Sequence, residues 1–220
     1  MVDLNKIYIY RITHIDNIPH ILQYGITHRN SQYANPNYIP IGDSSLIGNR
    51  NSKGVFVTNG LEGYGGIFKS IIIGDFIPFY FGLRTPMLYV IQKGGNFVPK
   101  VTPPDDIIYC VSSVQRIMDE GMLFFFTDGH ATNNLTTIFD IEKVYEINTL
   151  VDFKAANLKY WKDESDLDLK RRKESELLVK NDVPKTCIIG YVCYNETVKT
   201  KLLNMGLQQK EVVVRPNYFF

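Results

Sequence analysis

From Thr27 to about Gly66 the chain is rich in Asn, Ser, Gly and Pro and carries little hydrophobic periodicity. A structureless stretch of this length inside a compact domain is uncommon, and where one occurs it is ordinarily a lid or a binding loop. The segment is therefore expected to cover a ligand, and the core must come from the short apolar elements on either side of it. Those elements mix strands and helices without a regular strand–helix–strand alternation, which predicts an α+β fold. No internal repeat, low-complexity tract or linker divides the chain, so residues 1–220 are expected to form one domain.

Lys6 to Arg11 alternates as a strand. A helix should follow, with Asp16 as N-cap, Ile18, Ile21 and Leu22 on one face, Pro19 in the first turn and Gly25 at the end. Phe76 to Val90 reads as two strands joined by a turn at Arg84-Thr85-Pro86. Ile107 to Val111 is a short strand, and Ser112 with Gln115 has capping-box spacing for a helix ended by Gly121. Met122 to Thr127 reads as a buried strand and Asp128-Gly129-His130 as a turn. Lys170 to Glu174 suits a helix, and Leu177 to Lys180 and Thr186 to Cys193 suit strands. Asn195 should cap a helix closed by Gly206, before a last strand over Glu211 to Arg215.

A formal net charge of +1 argues against a protein that grips long duplex nucleic acid through many phosphates, although a short local footprint is compatible with it. The only dense basic run is Lys170 to Lys173. Cys110, Cys187 and Cys193 contain no CxxC pair and read as free thiols rather than a zinc site, so no metal is expected. The start lacks the apolar run of a secretion signal, and no stretch is long and apolar enough for a membrane span, so a cytoplasmic protein is expected.

Walker, GxGxxG, HExxH and GxSxG signatures are all missing. The polar residues that stand out do so by context. Thr13 and His14 close a strand just before a helix N-terminus, a place suited to a nucleotide but equally to capping. Arg50 lies in the long polar segment, where a functional arginine would pair with pyrophosphate. Pro78 to Phe81 offers an aromatic wall or simply core. Arg84 and His130 lie in turns. Sharpest is Glu174-Ser175-Glu176 leading into Leu177-Leu178-Val179, because a carboxylate at the mouth of a buried strand can be aimed into a cleft and partly desolvated.

Taken in order, YRITHIDNIPHIL, the IGxxxLxxxR segment ending at Arg50, DFIPFYFGLRTPMLY, FFFTDGHA, YWKDESDLDLKRRKESELLV and VVVRPNYFF resemble the DarT family of DNA ADP-ribosyltransferases. The resemblance implies a compact ADP-ribosyltransferase-like fold with a split, mixed sheet and a long NAD-covering loop. It implies NAD⁺ as co-substrate and places Glu176 and Arg50 at the chemistry. Arg11, Thr13, His14, Gly25, Arg50 and Tyr80 would fall on the NAD side, and Arg84, His130, Lys170, Arg171 and Arg172 along the DNA strand. It further implies single-stranded DNA as acceptor and a DarG-type macrodomain antitoxin as partner. Arg11 stands where some members carry His, and Glu174 where others carry Gln, giving a Glu-x-Glu pair; Leu83 replaces a proline-type position. Thymine and guanine are both open as the modified base. RNA, protein or water as acceptor, and a non-catalytic single-strand-binding module, are the competing readings.

Overall fold

The computed structural model describes residues 2–60, 69–95 and 98–220. In chain order the elements are β1 (Tyr8–His14), α1 (Ile18–Tyr24), α2 (Ser44–Ser52), β2 (Gly54–Val57), β3 (Lys69–Ile72), β4 (Phe76–Tyr80), α3 (Pro86–Lys93), β5 (Ile107–Ser113), α4 (Val114–Asp119) and β6 (Phe124–Thr127). They continue as β7 (Ile138–Phe139), α5 (Ile147–Leu150), α6 (Phe153–Asn157), α7 (Leu169–Lys173), β8 (Glu176–Lys180), β9 (Gly190–Cys193), α8 (Glu196–Asn204) and β10 (Val212–Val214).

Eight strands form one sheet in the order β10-β9-β5-β1-β4-β8-β6-β7, with β2 and β3 pairing separately. Among the described residues only β9 and β10 run parallel. The expected α+β class and mixed sheet are therefore present, and the split is visible in the register. β1 pairs with β5 along seven residues, and β4 with β8 along five, but β1 and β4 share only Tyr10 opposite Tyr80. Two blades thus meet at one residue pair, and a side chain helps to hold them, Arg11 donating from Nη1 to the Pro78 carbonyl at 3.0 Å.

Strands β6 and β8 are apolar on both faces because both are covered. In β6, Phe124 and Phe126 enter the main core beside Leu177 and Val179 of β8, while Phe125 and Leu178 face a second cluster with Phe76 and Ile138. A third cluster, around Leu88, Ile107, Tyr109 and Phe219, covers the back of the β5 blade.

Several sequence expectations change. The Thr27–Gly66 segment contains α2 and β2; its last part, 61–66, lies outside the described residues. The second strand expected before Val90 is the helix α3, with Thr85 as its cap (Oγ1 accepting from Leu88 N–H at 3.2 Å) and Pro86 at its first position. Asp16 is not a cap: His14 Nδ1 accepts its N–H at 3.2 Å, starting a 3₁₀ turn that leads into α1. Ser113 rather than Ser112 caps α4, accepting from Arg116 N–H, and Gln115 instead donates to Asp119. The strand expected from Thr186 is formed only over β9. Gly25 does end α1, at φ +79°, where the position of a side chain is taken by the Val183 carbonyl.

Candidate active site

The transverse row Tyr10–Tyr80–Glu176 crosses the sheet at the split. Glu176 is the first residue of β8 and is fully buried. Its N–H donates to Thr127 Oγ1 at 2.9 Å, and that hydroxyl donates to the Gly129 carbonyl at 2.6 Å, so the strand start is fixed to the turn after β6. The carboxylate gathers three groups. Oε1 accepts from Ala131 N–H at 3.0 Å and from Arg50 Nη1 at 3.1 Å, and His130 Nε2 stands 3.9 Å away. Oε2 lies 2.8 Å from Arg50 Nη2, yet neither of these two atoms has an aligned hydrogen-bond partner. The site therefore holds a buried carboxylate oxygen with acceptor capacity left over, an expensive arrangement unless something else binds there.

Burial pushes the Glu176 carboxyl up, but Arg50, His130 and the Ala131 N–H more than offset it and hold its pKa below the ordinary value. Glu174 goes the other way, because burial outweighs His130 and Lys170. Two carboxyl groups two residues apart are thus pushed in opposite directions. Burial, with Glu176 and Glu174 nearby, also raises the Tyr80 phenol.

Two cavities lie to either side of α2, neither lined by Glu176 itself. One, of about 390 Å³, is lined by Arg11, Thr13, Gly25, His28, Arg29 and Ile47 among others. Thr13 Oγ1 there accepts from Asn17, whose amide also donates to and accepts from the backbone of Ile39, pinning the polar segment onto α1. The other, of about 460 Å³, is lined by Leu46, His130, Thr132, Asn133, Lys170 and Glu174, with exposed Leu135 and Leu167 at its edge. The helix α2 lies between them: Ile47 faces the first, Leu46 the second, and Arg50 reaches Glu176.

The sequence-derived candidates are thus only partly brought together. Arg11, Thr13 and Gly25 line the first cavity, whereas His14 serves as a turn cap. Arg50 sits on Glu176, and the arginines lining the first cavity are Arg11 and Arg29. Phe79 is wholly core, leaving Tyr80 as the aromatic residue beside Glu176. Arg84, at φ +52°, stacks its guanidinium on Phe220 at 4.3 Å and donates to the Asn217 carbonyl. The basic run is largely internal. Arg171 is held by Asp128 and Asp168, and Arg172 by Asp152, Asp166 and Asp168. Lys173 is buried on the carbonyls of Leu83, Ala156 and Leu158, while Lys170 alone of the four is exposed, 3.8 Å from Glu174. Sequence reasoning missed Thr127, Ala131 and Thr132. The Ala131 contribution is a backbone N–H, which no side-chain pattern announces. Among the described residues no group of three or more His, Cys, Asp or Glu side chains is placed to hold a metal ion, and no helix is long and apolar enough to cross a membrane.

A family model described as the ssDNA thymidine ADP-ribosyltransferase DarT matches residues 10–220. A DNA ADP-ribosyl transferase from Escherichia coli is 32% identical over 223 residues, spanning 98% of this chain and 94% of that protein. A Thermosipho africanus protein in which a DNA ADP-ribosyl transferase is fused to a DNA ADP-ribosyl glycohydrolase is 27% identical over 96% of this chain and 49% of its own. The fold matches solved structures of Thermus sp. 2.9 DarT. The complex with ADP-ribosylated ssDNA has a TM-score of 0.76 at 26% identity, covering 97% of this chain and 96% of that one. The complex with NAD⁺ has a TM-score of 0.72 at 25% identity, covering 97% and 98%. With the split sheet, the buried Glu176 and this near end-to-end match, the chain belongs to the DarT family of DNA ADP-ribosyltransferases.

Proposed function

We propose that the protein transfers ADP-ribose from NAD⁺ to a thymine base of single-stranded DNA, with Glu176 as the reacting carboxylate. The observation that carries this is the buried, ionised Glu176 carboxylate, whose Oε2 meets the Arg50 guanidinium but has no aligned hydrogen-bond donor. A ribose hydroxyl is a donor of the kind that oxygen lacks. The first cavity, with Arg11 and Arg29 among its lining, suits the diphosphate of NAD⁺.

Cleavage of the bond to the cationic nicotinamide leaves positive charge on the ribose and releases a neutral base. The buried Glu176 carboxylate faces that charge at low dielectric, where such stabilisation is strongest. Arg50 keeps the carboxylate ionised and turned. The new bond forms from the pairing-edge nitrogen of the base, and its proton passes to the Glu176–His130 pair. The second cavity fits the acceptor. Leu46, Leu135 and Leu167 suit the thymine methyl, and the Lys170 ammonium can donate to the base carbonyls. A duplex hides the reacting nitrogen, so an unpaired strand is the natural substrate. Arg171, which lines the second cavity, and Arg172 beside it shape this edge through their carboxylate partners. A DarG-type glycohydrolase antitoxin as partner is supported by the fused relative, and a toxin acting on DNA with NAD⁺ would work in the cytoplasm.

The test is mass analysis of single-stranded oligonucleotides with and without thymine, and of a duplex control, after incubation with protein and NAD⁺. A gain of one ADP-ribose confined to the thymine-containing single strand is expected. A gain on guanine, RNA or protein would redirect the acceptor. Absence of any gain together with intact NAD⁺ would leave a binding module.

A further inference from the structure

We infer that Lys53 is a positioning residue for the reaction, coupling the helix that carries Arg50 to the loop that carries His130 and the Ala131 N–H. The inference rests on the reading of Glu176 as the reacting carboxylate. The groups that converge on Glu176 belong to two segments far apart in sequence, Arg50 on α2 and His130 with Ala131 in the loop after β6. Their relative placement decides whether all of them meet one carboxylate.

The helix α2 buries none of its residues, so core packing does not hold it in place. Specific contacts must do so. One is the Arg50 pair itself. A second is Gly74, whose Cα lies so close under the helix that a Cβ would meet Asn51 Cα at 2.5 Å. The third is Lys53, the C-cap of α2. Its carbonyl accepts from Ile73 N–H at 3.0 Å, while its ammonium donates to the Thr132 carbonyl at 2.6 Å and to Asn134 Oδ1 at 2.8 Å. A lysine that merely solvates a surface does not gather two acceptors from one distant loop, since immobilising its long stem costs entropy that charge-assisted bonds must offset.

Thr132 carries the coupling inward. Its carbonyl is held by Lys53 and its hydroxyl lies 2.6 Å from His130 Nδ1, which orients the ring whose Nε2 faces Glu176. Lys53, Thr132, His130 and Glu176 therefore form one chain of contacts, closed on the other side through α2 and Arg50. Lys53 reaches the chemistry only through these neighbours, and its charge should act on geometry rather than on substrate.

The experiment compares Lys53→Met and Lys53→Arg with wild type. It measures kcat and KM for NAD⁺ with a thymine-containing single strand, melting temperature, and amide hydrogen exchange at Ala131. Lys53→Met should lower kcat about tenfold or more, as misplacement of a catalytic group does, with KM for NAD⁺ little changed. Its melting temperature should stay within about 4 °C of wild type. Ala131 should exchange faster, and Lys53→Arg should recover both readouts. Wild-type kcat in Lys53→Met overturns the inference, as does an arginine variant no better than the methionine one. If the wild-type protein itself modifies no DNA, the Glu176 reading fails separately, and Ala131 exchange still decides the coupling: faster in Lys53→Met supports it, unchanged overturns it.

Discussion

The two oxygens of Glu176 are treated unequally, one receiving two aligned donors and the other only the nearness of Arg50. Glu176→Gln should lower transfer by about 10²-fold or more while NAD⁺ still binds, measured as single-turnover ADP-ribosylation beside equilibrium binding. The same carboxylate marks the acid limb of stability. Its folded pKa lies below the ordinary 4.5, so its contribution is present above that value and is lost as pH falls through the folded pKa. In urea melts the stability difference between wild type and Glu176→Gln should therefore shrink as pH drops below about 4.5. Lys173 has the opposite chemistry and the same sign. Burial lowers its pKa from 10.5 to about 8, so between those values the unfolded chain binds more protons. Stability relative to Lys173→Met should rise with pH across that window, and a fall there would show that the three carbonyls hold the protonated ammonium more tightly than water does. Glu176 was legible because a charge directly precedes an apolar run. Arg50, 126 residues earlier, stood out as an arginine in the polar segment and was matched to pyrophosphate; its pairing with Glu176 was not legible, since no local pattern links a helix C-terminus to a distant strand.

At the scale of elements, α2 shows what periodicity cannot find. A helix that buries nothing has no apolar stripe, so a polar segment containing one reads as loop. The same blindness has a cause of opposite kind at α3: FIPFYFGLRTPMLYV is apolar on both sides of Arg84-Thr85, which hides the change from strand to helix, though Thr85-Pro86 is a proper helix start. The helix α7 was found, but its charges were not placed. A basic run suggests a nucleic-acid face until the aspartates that take up Arg171 and Arg172 are seen to come from elsewhere in the chain as well as from Asp166 and Asp168 nearby. Because α2 rests on Gly74, Gly74→Ala should push the helix and Arg50 away from Glu176. The expected result is at least a tenfold loss in kcat/KM, of the size that an ångström of misplacement produces, with the β-sheet intact by far-ultraviolet circular dichroism. Full activity in that variant would show that α2 tolerates displacement.

For the molecule as a whole, near-zero net charge and a basic run mostly neutralised from within imply a light electrostatic grip on DNA. The slope of log K against log salt for a short single strand should be shallow, about −2 or less steep, corresponding to about three phosphates or fewer. A much steeper slope would demand a basic surface beyond Lys170 and its surroundings. The split register carries a different consequence. Where the two ladders meet, the backbone seam narrows to one stitch, Tyr10 to Tyr80, and the joint is left to the Arg11 bond on the Pro78 carbonyl and to the core packed under both blades. The seam of the sheet and the buried Glu176 are neighbours, so a change that loosens the seam is felt first by that carboxylate.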